Sequence, residues 1–259
     1  MRTTNDKLVW ASRLNLGSKG IVTAISTIDG VDISKPNAEE SRLIDADIHR
    51  KASLQKRSPA RQLERDLKPG ELIEFDGYSA PYAPSIVHGK ATNQMSCVDA
   101  ATSYGATTTV KEKTMETWKA FAIKQIRFFR QNGHEVHTVR FDQESALASR
   151  SFRDQIETEC NVNTELAPSK RHEGVCHAEV NNDLLTRIAE QMLKRAGLGM
   201  EYFLPAREYA QYLLNLRCKR GTSISRSESV TGKRPNVSVL KPYVFGCDVL
   251  VYREKQDRG

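Results

Sequence analysis

The sequence predicts an α/β fold with a mixed sheet of five strands flanked by helices, and two observations carry that prediction. First, two apolar runs with alternating side chains end on an aspartate, at Asp76 and at Asp142, which is typical of strands that lead to the edge of a sheet. Second, the longer segments repeat apolar residues at spacings of three and four, which indicates amphipathic helices with one buried stripe. Strands that alternate with helices favour helices packed on a sheet.

The elements are expected in a simple order along the chain. Runs rich in Thr and Val predict two strands that follow the first in an antiparallel meander. The five predicted strands are Leu72–Asp76, Gln94–Ala100, Gly105–Val110, Val136–Asp142 and Asn163–Ala167. The predicted helices run from Thr114 to just before Gly133, from Leu147 to Cys160, from His177 to Ala196 and from Glu201 to Arg220.

Composition limits the compartment and the partners. The 259 residues carry a net charge of +7, which suits a polyanionic partner, although ordinary solubility explains the same excess. The five cysteines form no C-x-x-C pair, and no apolar run reaches the roughly 18 residues of a membrane span. We therefore expect a soluble, intracellular protein with reduced cysteines and no membrane partner.

Three carboxylates are candidates for one site. Asp76 and Asp142 end their predicted strands, and Glu179 lies near the start of a helix, off its apolar stripe. Glu173 lies about 120° around a helix from Glu179, so the two cannot face the same site. Three carboxylates suit Mg²⁺, which takes oxygen ligands and keeps waters for a phosphate substrate. Taken singly, each acid is also common at a turn or a helix start.

The same residues resemble the catalytic core of copia-type LTR retrotransposon integrases, within the retroviral-type integrases. The likeness includes C-V-D-A-A-T-S-Y at Cys97–Tyr104 and A-Q-Y-L-L-N-L-R at Ala210–Arg217, and it is most specific in T-G-K-R-P-N-V-S-V-L-K-P-Y-V-F-G-C at Thr231–Cys247. It implies a ribonuclease H-like fold whose Asp, Asp, Glu triad is Asp76, Asp142 and Glu179. The interval between the last two is one residue longer here than in the family.

The resemblance also implies an activity and partners. Members of the family are DNA integrases, polynucleotidyl transferases that use two Mg²⁺ or Mn²⁺ ions to trim the element's DNA ends and join them to target DNA. Asp76, Asp142 and Glu179 would be the catalytic metal ligands. DNA phosphates would be contacted by the loop after the fifth strand, through Lys170, Arg171 and His172. Self-association into a homo-oligomer and action in the nucleus follow from the same resemblance.

The segments outside the core are interpreted in the same way. Residues 1–68 would be a degenerate copy of the small zinc-binding module that precedes this core, with a basic linker. Residues 69–222 would be the catalytic core and 223–259 a C-terminal extension. L-V-W-A-S-R-L resembles the module's L-W-H-x-R-L-G-H, but Ala11 and Leu16 stand where the module has histidines. We therefore expect no zinc site, which needs about four N or S ligands.

Two departures from the family pattern keep other functions open. Gln143–Ala146 stand where the family usually has Asn-Gly after the second aspartate, and Val180–Asp183 stand where it has R-K-N-R after the glutamate. Asp183 is thereby expected to add repulsion beside Glu179, where DNA would lie. The alternative is a decayed or co-opted integrase-like protein that binds DNA without cutting it. A nuclease on the same fold is a third reading.

Overall fold

The centre of the protein is a mixed sheet of five strands. A computed structural model describes residues 4–46, 67–142, 149–167, 176–219, 222–238 and 244–247. The strands are β1 (Leu72–Ser79), β2 (Asn93–Asp99), β3 (Gly105–Val110), β4 (Thr138–Phe141) and β5 (Asn163–Leu166). Their order is β3-β2-β1-β4-β5, with antiparallel pairing among β1, β2 and β3 and parallel pairing of β4 with β1 and β5. The predicted mixed, five-stranded, helix-flanked sheet is confirmed.

Helices cover both faces of this sheet. Within the described ranges they are α1 (Thr4–Arg13), α2 (Ser18–Thr27), α3 (Ala38–Asp45), α4 (Met115–Gln131), α5 (Arg150–Cys160), α6 (Cys176–Ala196), α7 (Phe203–Leu216) and α8 (Arg226–Thr231). A 3₁₀ turn at Met200–Tyr202 precedes α7. Among the described helices, none is both long enough and apolar enough to cross a membrane.

The predicted boundary of the first strand was wrong. β1 continues for three residues past Asp76, because Gly77, Tyr78 and Ser79 pair with the start of β2. The prediction ended the strand at Asp76, since the glycine and nearby prolines that follow usually end a strand. Asp76 therefore lies inside a strand, whereas Asp142 follows β4 directly. The last predicted helix also differs, because it begins as the 3₁₀ turn and ends at Leu216 rather than at Arg220.

One face of the sheet carries an apolar core built from aromatic rings. Ile73 and Phe75 of β1 point into it together with residues of β2, β4, α4 and α5. The ring of Phe141 lies 5.2 Å from that of Phe75 and 5.1 Å from that of Phe152, measured between centroids. The helical stripe of α4 that could have been taken for a base-stacking platform belongs to this core, with Trp118, Phe121 and Phe129 buried.

The opposite face is covered by α6 and α7, and the N-terminal helices pack behind them. Trp10, Leu14 and Ile21 share one apolar cluster with residues of α6 and α7. Ala11, which the sequence comparison set against a zinc-ligand position, is buried in the same cluster. The chain after α8 returns to this layer, where Asp29 and Asn236 form a parallel bridge. The N-terminal segment is therefore held by an apolar core that it shares with α6 and α7.

We expect Phe141→Ala to lower the free energy of unfolding by about 3–5 kcal/mol, since it opens a cavity between two buried rings. Val22→Ala, at a side chain exposed on α2, should change it by less than about 0.5 kcal/mol. Urea denaturation of both variants measures the difference. Equal stabilities would contradict the proposed role of the aromatic core.

Candidate active site

Two neighbouring strands bring Asp76 and Asp142 together. In the parallel pairing of β1 with β4, Phe75 lies opposite Phe141, and the N–H of Asp142 donates to the carbonyl of Phe75 at 3.3 Å. Asp76 follows Phe75 and Asp142 follows Phe141, so each aspartate comes directly after one of two residues that face each other across the strands. Side chains alternate along β1, so Asp76 points away from the aromatic core and towards α6.

The first turns of α6 lie against this face and carry the third acid. Asn182 of α6 donates from Nδ2 to Oδ2 of Asp76 at 2.6 Å. Glu179 is three residues earlier, on the same side of the helix. The pKa of Asp76 is raised to about 6, chiefly by burial and also by the charges of Asp142 and Glu179, which together outweigh the opposing hydrogen bond from Asn182. Asp142 and Glu179 thus both lie within electrostatic reach of Asp76.

The donor set can be tested against the divalent cation that the resemblance implies. Within the described ranges, no three His, Cys, Asp or Glu side chains form a group that could hold a metal ion as they stand. Asp142 and Glu179 nevertheless both act on Asp76 electrostatically, and a cation beside Asp76 would relieve that repulsion. Mg²⁺ commonly binds through one or two carboxylates plus waters and substrate phosphates, so it does not require a closed protein cage. The oxygen donors therefore fit such an ion in their chemistry.

A fully buried carboxylate next to the site fixes the start of α6. Glu74 accepts hydrogen bonds from the backbone N–H groups of His177 at 3.0 Å and Ala178 at 3.1 Å, and from Nη1 of Arg140 at 3.0 Å. Burial alone raises the pKa of Glu74, but the interactions with His177, Ala178 and Arg140 outweigh it, so the pKa lies below its usual value. This carboxylate accepts from backbone N–H groups that would otherwise have no partner at the start of the helix. It therefore fixes the first turn of α6, which carries Glu179.

A buried arginine supports Asn182 from the other side. Arg207 of α7 donates from Nη2 to Oδ1 of Asn182 at 2.8 Å and from Nη1 to its backbone carbonyl at 3.1 Å. Its Nε donates to Gln94 of β2 at 2.9 Å, and its guanidinium lies 3.7 Å from the centre of the Tyr78 ring. Burial lowers the pKa of Arg207 to about 10, so it stays protonated at neutral pH. Arg207 therefore orients the amide that holds Asp76.

Not all sequence-derived candidates can be placed. Lys170, Arg171 and His172, and also Glu173, lie outside the described residues, so the DNA-contacting loop stays a prediction. Asp183, which was expected to add repulsion beside Glu179, is exposed and lies 3.9 Å from Arg187. Whether it repels DNA beside Glu179 stays a prediction.

Three residues of the site were missed by sequence reasoning. Glu74 was detectable, because in E-L-I-E-F-D it stands two residues before Asp76 and must share its face. Asn182 was also detectable, since it coincides with the asparagine of the family's R-K-N-R run. Arg207 gave no signal, because a lone arginine in a helix normally predicts an exposed side chain.

The architecture defines the class of fold. An α/β domain with a mixed five-stranded sheet, in which an antiparallel meander is joined to two parallel strands with helices on both faces, is consistent with a ribonuclease H-like fold.

Comparison with known proteins finds a likeness of fold to solved structures. No protein-family model matches the chain, and no curated protein does. The fold is similar to that of a chain in the cryoEM structure of the simian T-cell lymphotropic virus intasome in complex with PP2A regulatory subunit B56 gamma. The TM-score is 0.54 at 14% sequence identity, over 96% of this chain and 80% of that chain. At this identity the likeness is one of fold.

Because the pKa of Asp76 is raised from 3.8 to about 6, its ionisation opposes folding. The stability that belongs to its protonated form is complete below pH 3.8 and is lost as the pH rises through about 6. We expect Asp76→Asn to be more stable than the wild type by about 2–3 kcal/mol at pH 8, at about 1.4 kcal/mol per pKa unit, and to lose this advantage near pH 4. Urea denaturation in chelator-containing buffer at both pH values measures it, and an advantage that is absent at pH 8 would contradict the raised pKa.

Glu74→Gln is expected to act in the opposite direction and to destabilise the protein by about 3 kcal/mol at pH 8, because a buried acceptor of several donors is lost. The pKa of Glu74 is lowered, so its contribution is present above its unfolded pKa and fades as the pH falls through the folded pKa. Glu165→Gln is the matched control, since Glu165 also binds Arg140 but is half exposed. Equal losses in the two variants would show that burial of Glu74 is unimportant.

Proposed function

We propose that the chain is the integrase of a copia-type retroelement, a metal-dependent DNA strand transferase on a ribonuclease H-like fold. The observation that carries the proposal is that Asp142, directly after the strand paired with β1, and Glu179, on α6, are both near enough to Asp76 to raise its pKa. The fold likeness to a chain of a viral intasome supports the same reading. Its DNA partners would be the element's ends and the target, and it would act as a homo-oligomer in the nucleus.

The roles of the side chains follow from their positions. Asp76, Asp142 and Glu179 would hold two Mg²⁺ or Mn²⁺ ions. When bound, such ions supply an activated nucleophile and stabilise the leaving oxygen of a phosphodiester. Asn182 holds Oδ2 of Asp76 by a hydrogen bond and so fixes the orientation of the carboxylate that would coordinate the ion.

Pre-organisation of the site comes from the layer beneath it. Glu74 fixes the start of α6, and Arg207 fixes the side chain of Asn182, so the acids are supported by buried groups that cannot rearrange freely. The protonated Arg207 also places a positive charge that acts on Asp76. This favours the ionised carboxylate that a metal ligand must provide.

A second candidate is an integrase-like protein that binds DNA without cutting it. The observation in its favour is that, among the described residues, the acids do not form a ready metal-holding group. The two candidates share the fold and the DNA partner, so the chemical step separates them.

We expect Asp142→Asn to abolish Mg²⁺- or Mn²⁺-dependent nicking and joining, because it keeps the shape of the side chain but removes the charge that binds the ion. Asp183→Asn, at an exposed acid of α6, should retain activity within a few-fold. Joining of labelled end-mimicking duplexes to plasmid DNA measures activity, and fluorescence anisotropy measures DNA binding. Wild-type protein that binds duplex DNA yet neither nicks nor joins any substrate would establish the second candidate.

A further inference from the structure

The connection between β1 and β2 presents two apolar side chains to solvent. It is a hairpin whose tip, residues 86–90, is closed by an antiparallel bridge between Ser85 and Ala91. Ile86 is 57% exposed and Val87 is 60% exposed, the two highest values among large apolar side chains in the described ranges. Exposure of two adjacent apolar side chains to water is unfavourable, so burial of the tip against a binding partner would be favourable.

The hairpin tip is held in place from several sides. Tyr82 donates to Glu190 of α6 at 3.1 Å and packs edge-on against the ring of Phe203. Nε2 of His88 lies 3.3 Å from Oε2 of Glu208 on α7. The backbone N–H of Lys90 donates to the carbonyl of Ser85 at 2.8 Å. The tip is therefore a supported structure with a defined shape, and its apolar residues cannot fold back into the core.

The tip lies at the edge of the sheet where the candidate site is found. β1, β3 and β4 run in the same direction, so the hairpin, the end of β3 and Asp142 all lie at one edge. Lys90 in the tip and Lys111 after β3 are exposed, and the Lys111 chain passes beside Gly89, 3.4 Å from where a Cβ would stand. Glu112 is the exposed acid beside them. Two lysines therefore flank the apolar pair.

We propose that the hairpin tip is a second DNA contact, in which Ile86 and Val87 wedge into a groove of the duplex while Lys90 and Lys111 bind phosphates. Apolar wedges between base steps combined with phosphate-binding cations are a known means of gripping and bending DNA. Two side chains are too few for a protein interface, which buries about 800 Å² on each partner. The chain's net charge of +7 suits a polyanionic partner. The choice of DNA as the partner rests on the proposed function.

The test compares full-length variants for binding to a short, random-sequence DNA duplex. The double variant Ile86→Ser, Val87→Ser should bind on the order of ten-fold more weakly at every salt concentration, with an unchanged salt dependence, because it loses apolar contact alone. The double variant Lys90→Gln, Lys111→Gln should reduce the slope of log affinity against log salt by about 0.9 for each lost phosphate contact. Val22→Ser, at an exposed β-branched residue of α2, is the matched control and should bind like the wild type.

A second readout concerns the wedge itself. A duplex with a fluorescent base analogue should brighten on binding the wild type, because a wedge unstacks a base step, and should brighten less with the Ile86, Val87 variant. In one contrary outcome, the wild type binds the duplex while the tip variants match the Val22→Ser control in affinity and base fluorescence. That result would overturn the wedge and leave the proposed function standing. A wild type that binds no duplex would overturn both. Unchanged melting temperatures exclude unfolding as the cause.

Discussion

The arrangement of the site depends on the carboxylate of Glu74, which is buried between the sheet and α6. Alternation along β1 sends Ile73 and Phe75 into the aromatic core and Glu74 and Asp76 to the other face, so α6 meets polar groups where an ordinary helix would meet apolar ones. A buried carboxylate is tolerable only when its acceptors are satisfied, and here backbone N–H groups and Arg140 satisfy them. The same contacts fix the start of α6, and with it Glu179.

Glu74 and Asp76, the two acids on this face of β1, have pKa values shifted in opposite directions although they are two residues apart. Partners outweigh the burial of Glu74 and lower its pKa, whereas Asp76 has Asn182 as its hydrogen-bond partner but feels two other acids, and its pKa is raised. A protein selected for stability alone would not keep that second arrangement. Neighbouring acids with raised pKa values are a signature of functional sites, where stability is exchanged for chemistry. The positive charge of Arg207, which is hydrogen-bonded to Asn182, acts on Asp76 and so limits the loss of stability.

The sequence predicted the sheet and the main helices because those rest on local periodicity. It failed at Gly77–Ser79, whose strand pairing is decided by β2 rather than by their own turn-forming tendency. The hydrogen bonds of Asn182 and Arg207 could not be predicted from the sequence for the same reason. The bonds from Asn182 to Asp76 and from Arg207 to Gln94 join residues about a hundred positions apart, and periodicity reports which face a residue occupies but not which partner it meets. The candidate acids were proposed from their positions after apolar segments and from a resemblance. The partners that hold them in place were identified only in the structure.

The N-terminal segment shows how a site can depend on residues far from it. Helices as short as α1, α2 and α3 are marginal by themselves. Here Trp10 and Leu14 are buried against α6 and α7, and Arg217 donates to the carbonyls of Leu14 and Asn15 at the end of α1. Apolar burial therefore supplies the stabilisation that these short helices lack by themselves. Since α6 and α7 also carry Glu179, Asn182 and Arg207, the outer helices brace the layer that holds the acids, which links packing at the N terminus to geometry at the site.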